Sequence, residues 1–152
     1  MLYTRAVAED LPEILELQYL AFQSEARILK NTKIPPLVQD LDGLREEFDK
    51  GVFFKAVDDE GKIIGSSRGY REGDDVIIRK LIVDPAHRCN GYGTKLLYLV
   101  EKELPSSRYV LYTSNKSVGN VALFETLGYS VFKKEPFNDE LTYIYMEKIV
   151  NN

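Results

Sequence analysis

Residues 76–104 read V-I-I-R-K-L-I-V-D-P-A-H-R-C-N-G-Y-G-T-K-L-L-Y-L-V-E-K-E-L. This stretch predicts a strand, a tight loop and a helix. Residues 76–83 are mostly apolar and rich in β-branched side chains, the composition of a central strand buried on both faces. Asp84-Pro85 ends it, because proline brings no amide proton to a ladder and restricts the residue before it. From Thr94 onward Leu96, Leu97, Val100 and Leu104 recur at helical spacing and mark one apolar face. Between strand and helix lies Arg88-Cys89-Asn90-Gly91-Tyr92-Gly93.

Two glycines just before a helix let the backbone turn sharply and let a ligand approach bare amides. The first helical turn carries N–H groups without intrahelical partners and the positive end of the dipole, a natural seat for phosphate. Read from the residues alone, the loop is either such a seat, with Arg88 as a cation at its rim, or an ordinary strand-to-helix turn. Two stronger phosphate motifs fail. A dinucleotide fingerprint needs a third glycine three residues after Gly93, where Leu96 stands, and the Gly93-Thr94-Lys95 spacing is wrong for a P-loop. Arg88-x-x-Gly91-x-Gly93, following a strand that ends in Leu81-x-Val83-x-Pro85, resembles motif A of the GNAT superfamily, the acetyl-coenzyme A-dependent N-acetyltransferases. The resemblance implies that the loop amides grip the pyrophosphate of coenzyme A.

Composition agrees with one ordinary domain over residues 1–152, long enough to bury about two thirds of its unfolded surface. A net charge of −4 argues against broad nucleic-acid binding, which normally shows a basic surplus. Arg79, Lys80, Arg88 and Lys95 are expected to cluster near the phosphate seat. One cysteine excludes an internal disulfide and a cysteine-based metal cluster, and no metal is expected. No signal-like segment and no apolar run approaching a membrane span are present, which predicts a cytoplasmic protein without a membrane partner.

Upstream, residues 2–7 read as a first strand. Asp10-Leu11-Pro12-Glu13 is a helix start, with Asp10 as cap and Glu13 at the capping-box position. Leu11, Ile14, Leu15 and Phe22 carry that helix to about Ile28. Pro35 and Pro36 forbid a continuous helix through 30–40, and a second helix covers 40–49 with Leu41, Leu44 and Phe48 inward. Residues 51–58 and 62–70 form a hairpin around Asp58-Asp59-Glu60-Gly61, and Gly73-Asp74-Asp75 turns into the central strand. Residues 108–114 are predicted to pair parallel to 76–83. A helix at 117–127 stops at Gly128, and strands at 129–134 and 141–148 close the chain.

The C-terminal part strengthens the resemblance. Ser117-x-x-Asn120-x-x-Leu123-Phe124-Glu125-x-Leu127-Gly128-Tyr129 is similar to the superfamily's last conserved helix. The order βααβββαβαββ is that of a GNAT domain over essentially the whole chain. The expected fold is α/β (α+β): a mixed, mostly antiparallel twisted sheet of about seven strands, flanked by four helices, with a splayed parallel strand pair.

The resemblance implies an N-acetyltransferase that moves an acetyl group from acetyl-CoA directly to a primary amine of a small molecule or peptide. Backbone groups of Leu81, Ile82 and Val83 would bond the pantetheine arm between the splayed strands. Amides of Arg88, Cys89, Asn90, Gly91, Tyr92, Gly93 and Thr94 would take the pyrophosphate. Asn120 would reach the pantetheine amides, and Phe124 would pack beside the coenzyme. Many members carry tyrosine at the Phe124 position as the general acid; phenylalanine cannot donate a proton, so Tyr112, a water molecule or unassisted departure stands in. Glu72 and His87 are the candidate bases, and an amine that loses its proton through water needs none. Cys89 has no partner base and contributes its amide. Tyr70 and Tyr112 are candidates for the acceptor pocket, and residues 23–40 and 136–140 for specificity. Dimerisation is common in the family, though no segment here encodes it. A second class of function stands beside this one: an acyl-CoA-binding module without turnover.

Overall fold

The computed structural model describes residues 1–88, 90–117 and 119–150. Strand β1 (Leu2–Arg5) leads through a 3-10 turn into helices α1 (Leu11–Ala21) and α2 (Gln23–Leu29), followed by the single turn α3 (Pro35–Val38) and α4 (Leu41–Lys50). Strands β2 (Val52–Val57), β3 (Ile63–Glu72) and β4 (Asp75–Val83) form a meander. Helix α5 (Tyr92–Glu103), β5 (Arg108–Ser114), α6 (Asn120–Thr126), β6 (Ser130–Pro136) and β7 (Thr142–Ile149) complete the chain. The seven strands make one sheet in the order β1-β2-β3-β4-β5-β7-β6, with β4 and β5 its parallel pair.

Alternation along the strands sends apolar side chains to both faces. Val52, Phe54, Ile64, Val76, Ile78 and Leu111 meet Leu96, Leu97 and Val100 of α5 and Phe124 of α6 on one face. Phe53, Ile63 and Ile82 meet Leu11, Ile14, Leu15 and Leu17 of α1 and Leu44 of α4 on the other. Leu96, Leu97 and Val100 are fully enclosed, each worth about 1.5–3 kcal/mol of burial. α5 lies flush on β3 because Gly69 offers it no side chain: a Cβ there would stand 2.6 Å from Val100 Cγ1.

Three local expectations change. The helix predicted through residue 28 breaks at Phe22 (φ −98°, ψ 4°), whose ring packs against both the α1 cluster and a third one formed by Ala26, Leu29, Ile34 and Leu141. The bend turns α2 onto that third cluster. The capping box at 10–13 does not form: Asp10 Oδ2 instead accepts from the Val7 amide at 2.9 Å, and Glu13 Oε2 takes the Ile63 amide at 2.7 Å. Finally, residues 76–83 are not buried on both faces. Val76, Ile78 and Ile82 are buried, whereas Arg79, Lys80 and Leu81 are half-exposed, because the sheet opens beside them.

Candidate active site

That opening follows from one register. β4 and β5 pair at only three positions, Asp75, Val76 and Ile77 with Arg108, Tyr109 and Val110. Beyond Ile77 the β4 edge facing β5 carries no ladder among the described residues, while its other edge stays bonded to β3 through Ile82–Ser66 and Val83–Gly65. β5 continues to Ser114 with β7 on its far side. The two strands therefore diverge into a wedge, with bare backbone groups along both walls.

A bulge sharpens the wedge. The β3–β4 register shifts between Ser66 and Arg68, and Lys80, opposite that shift, adopts φ 49°. A left-handed lysine in a strand is strained, the kind of conformation that clusters at functional sites.

At the wide end of the wedge stands α5. Gly91 caps it at φ 77°, no side chain caps this end among the described residues, and a Cβ on Gly91 would meet nothing within 4 Å. First-turn N–H groups thus have no side-chain cap among the described residues, and the positive end of the dipole lies with them. Gly93 sits in that turn against Val83 and Leu81, while Tyr92 and Thr94 are half-buried beside it. Asn90 Nδ2 donates to the carbonyls of His87 (3.1 Å) and Arg88 (3.3 Å), and Asp84 caps the preceding turn through the Ala86 amide at 2.9 Å. The Arg88 guanidinium donates to the Ala21 carbonyl at 3.0 Å, so it ties the loop to the end of α1. Cys89 lies outside the described residues.

The expected cation cluster at this loop divides. Lys95 Nζ stands 5.5 Å from the Tyr3 ring centroid, and Arg79 and Lys80 turn instead toward Tyr112 on the α1 face of the sheet. Among the remaining expectations, Leu81, Ile82 and Val83 do line one wall of the wedge. Asn120 opens α6 at the end of β5, where its Nδ2 donates to Thr113 Oγ1 at 3.1 Å. Phe124 is 5% exposed, a core side chain against Tyr129. Glu72 lies in the β3–β4 hairpin beside Asp75, at the opposite end of β4 from the loop. His87 is half-buried in the 3-10 turn before the loop.

On the α1 face the structure gathers groups that the sequence reading did not connect. Arg68 of β3 is 3% exposed, its Nη2 donating to Gln18 Oε1 at 2.7 Å and its Nη1 standing 3.1 Å from Glu47 Oε2. Burial pulls the Arg68 guanidinium down to about 10 despite Glu47. Tyr112 projects from β5 toward Arg79, whose Nη2 reaches its hydroxyl at 3.4 Å. Burial raises the Tyr112 phenol, but Lys80 and Arg79 outweigh it and hold the phenol below its ordinary value. Tyr70 borders the same small cavity as Arg68, Arg79 and Glu47. Further along β5, the Ser114 hydroxyl donates to Glu25 of α2. Among the described residues no set of three or more His, Cys, Asp or Glu is placed to hold a metal ion, and no helix is long and apolar enough to cross a membrane.

Comparison with known proteins gives this geometry a context. The family model described as "Acetyltransferase (GNAT) family" matches residues 11–129. No curated protein matches the chain in sequence. Solved structures do match in fold. The ribosomal-protein-S18-alanine N-acetyltransferase of Escherichia coli aligns with a TM-score of 0.80 at 18% identity, over 99% of this chain and 94% of that one. The PaiA N-acetyltransferase of Thermoplasma acidophilum, solved with coenzyme A, aligns at 0.76 and 16% identity over 99% and 100% of the two chains. A phosphinothricin acetyltransferase from Sinorhizobium meliloti, solved with acetyl-CoA, gives 0.77 and 17% over 99% and 88%.

Proposed function

Since this chain belongs to the acetyltransferase (GNAT) family, we propose that it transfers the acetyl group of acetyl-CoA directly to a primary amine of a small molecule or peptide. One observation carries the reading: a wedge between parallel strands that opens onto a glycine-headed helix N-terminus. The residues fit the group they would hold. A Cβ on Gly91 would meet nothing within 4 Å, which supports a pyrophosphate seated over the amides of residues 90–94, and an amide-bearing arm could bond the bare edges of β4 and β5. Leu81, Ile82, Val83 and Asn120 would line that arm's path, and Cys89, outside the described residues, would contribute its amide alone.

Acetyl-CoA, when bound, supplies the activated acyl group. The chain's own residues must hold the amine at the thioester, keep it neutral and provide for the proton that leaves it. Forming the N–C bond and breaking the C–S bond releases one proton from nitrogen and creates one thiolate. Phe124 cannot serve that exchange, being an unionisable ring in the core. Tyr112 is the candidate donor to the thiolate, because Arg79 and Lys80 favour its ionised form and so make its proton easier to give. Glu25 is the candidate acceptor of the amine proton, from α2 above the end of β5.

The test is calorimetric binding of acetyl-CoA to the wild-type protein and to Gly91→Trp, followed by thiol release with a panel of amines. Tight binding to the wild type, weakened at least tenfold by Gly91→Trp (about 1.4 kcal/mol), is the expected result; equal affinities refute the loop assignment. The absence of an ionisable group at Phe124 favours a second reading, an acyl-CoA-binding module without turnover. Binding with no thiol released by any amine would select it.

A further inference from the structure

The α1 face at the narrow end of the wedge is over-supplied with positive charge. Arg68 and Arg79 are cross-strand partners on β3 and β4, and Lys80 follows at the bulge. Among the described residues Glu47 is the carboxylate ion-paired with this group, so three cations there face one anion. Neutral acceptors relieve the surplus only in part, through Gln18 Oε1, which takes Arg68 Nη2 at 2.7 Å. Arg79 Nε and Arg68 Nε are buried without a hydrogen-bond partner, and the one contact of Arg79 with Tyr112 is long at 3.4 Å. Buried cations whose donors lack acceptors are costly unless something compensates them. Arg68, 3% exposed, and Arg79 both line the small cavity against Tyr70, which Glu47 lines as well.

The opposite pole lies along the same face. Glu25 stands over Ser114, two residues beyond Tyr112 and hence about 7 Å further along β5. The groove is therefore polarised, cationic at its closed end and anionic toward its mouth.

We infer that the acceptor is an amine that carries an anionic group, a carboxylate or its phosphonate equivalent, taken by Arg79 and Lys80 while Glu25 faces the amine. This rests on the acetyl-transfer reading above. A guanidinium fork receives a carboxylate through two parallel hydrogen bonds, and such charge-assisted pairs are about twice as strong as neutral ones. A peptide N-terminus, whose nearest carbonyl is an amide, offers the cations no charge. The site thus selects small anionic amines over peptide ends.

The experiment is thiol release from acetyl-CoA with matched acceptors: glycine, β-alanine, 4-aminobutyrate and the L-α-amino acids, each beside its own amide, with aminomethylphosphonate as the phosphonate arm. At least one acid should exceed its amide in kcat/KM by about tenfold or more, the worth of one hydrogen bond to a charged group. Arg79→Gln should bring that ratio close to one and Arg79→Lys should restore part of it. A merely structural Arg79 would depress acid and amide alike and leave the ratio unmoved, which would overturn the inference. So would amides that match their acids, or a protein that releases thiol with neutral amines and with no anionic one. No thiol released with any amine, or loss of acetyl-CoA binding in the wild type, would instead overturn the transfer reading beneath it.

Discussion

Gly69→Ala tests how tightly α5 is seated on the sheet. The added methyl would stand 2.6 Å from Val100 Cγ1 and 3.1 Å from the Ile77 carbonyl oxygen. Carbon atoms in good contact lie about 3.5–4.0 Å apart, so the overlap with Val100 is close to 1 Å. Val100 cannot turn away, because a β-branched side chain in a helix holds one rotamer and this one is fully buried. The strain falls on the packing of α5 against β3, at about 1–3 kcal/mol by the usual cost of overfilling a core. For a chain of this length that lowers Tm by roughly 2–12 °C. Urea unfolding of wild type, Gly69→Ala, Val100→Ala and the double variant closes a thermodynamic cycle. Val100→Ala alone costs about 1–3 kcal/mol for the two methyls lost and the hollow left, but it frees the space the new methyl needs. The double variant should therefore be more stable than the sum of the single effects predicts, by at least about 1 kcal/mol. A Gly69→Ala protein within about 0.5 kcal/mol of wild type, or strict additivity, would refute the seating argument.

Two further outcomes follow from other residues. Tyr129 is buried and its hydroxyl donates to Glu101 Oε2 at 2.6 Å, so Tyr129→Phe should cost about 1.5–3 kcal/mol. Burial, with Glu101 beside it, raises the phenol above its ordinary value, and that part of the stability is complete below about pH 10 and falls by about 1.4 kcal/mol per pH unit above it. Wild type should lose stability between pH 9 and 11 more steeply than Tyr129→Phe in denaturant titrations, and parallel curves would count against the buried phenol. Gly91→Ala should cost about 1–2 kcal/mol because φ is 77° with open space around the position, whereas Gly91→Asn should cost less, since asparagine tolerates this region. Equal losses for the two in thermal unfolding would mean that the cost is not conformational.

The strand-loop-helix unit was legible because its signals are local: a β-branched run, a proline stop, two glycines and a leucine face. The break at Phe22 was not legible, since leucines continue at helical spacing on both sides and only the third apolar cluster, assembled partly from Leu141 over a hundred residues away, explains the bend. The sequence showed Arg79-Lys80 inside an otherwise apolar strand, and that interruption was the available signal for an open face. The sequence alone does not separate that signal from the phosphate loop, because which way a side chain points beyond a bulge depends on register, here set by Ser66 and Arg68 on another strand. Within the specificity segment 23–40, nothing in the sequence singles out Glu25. A glutamate on a helix reads as surface until β5 brings Ser114 beneath it.

A sheet ordinarily has two borders, but here the three-rung seam between β4 and β5 adds an inner pair. The outer borders are blunted in familiar ways, β1 by having four residues and β6 by Lys133, Lys134, Glu135 and a final proline. On the inner pair the same task falls to Arg79 and Lys80. Their like charges, and the twist that a left-handed Lys80 imposes, oppose both zipping of the seam and the capture of a stray strand. The bulge that shapes the wedge therefore also keeps its two inner edges from pairing.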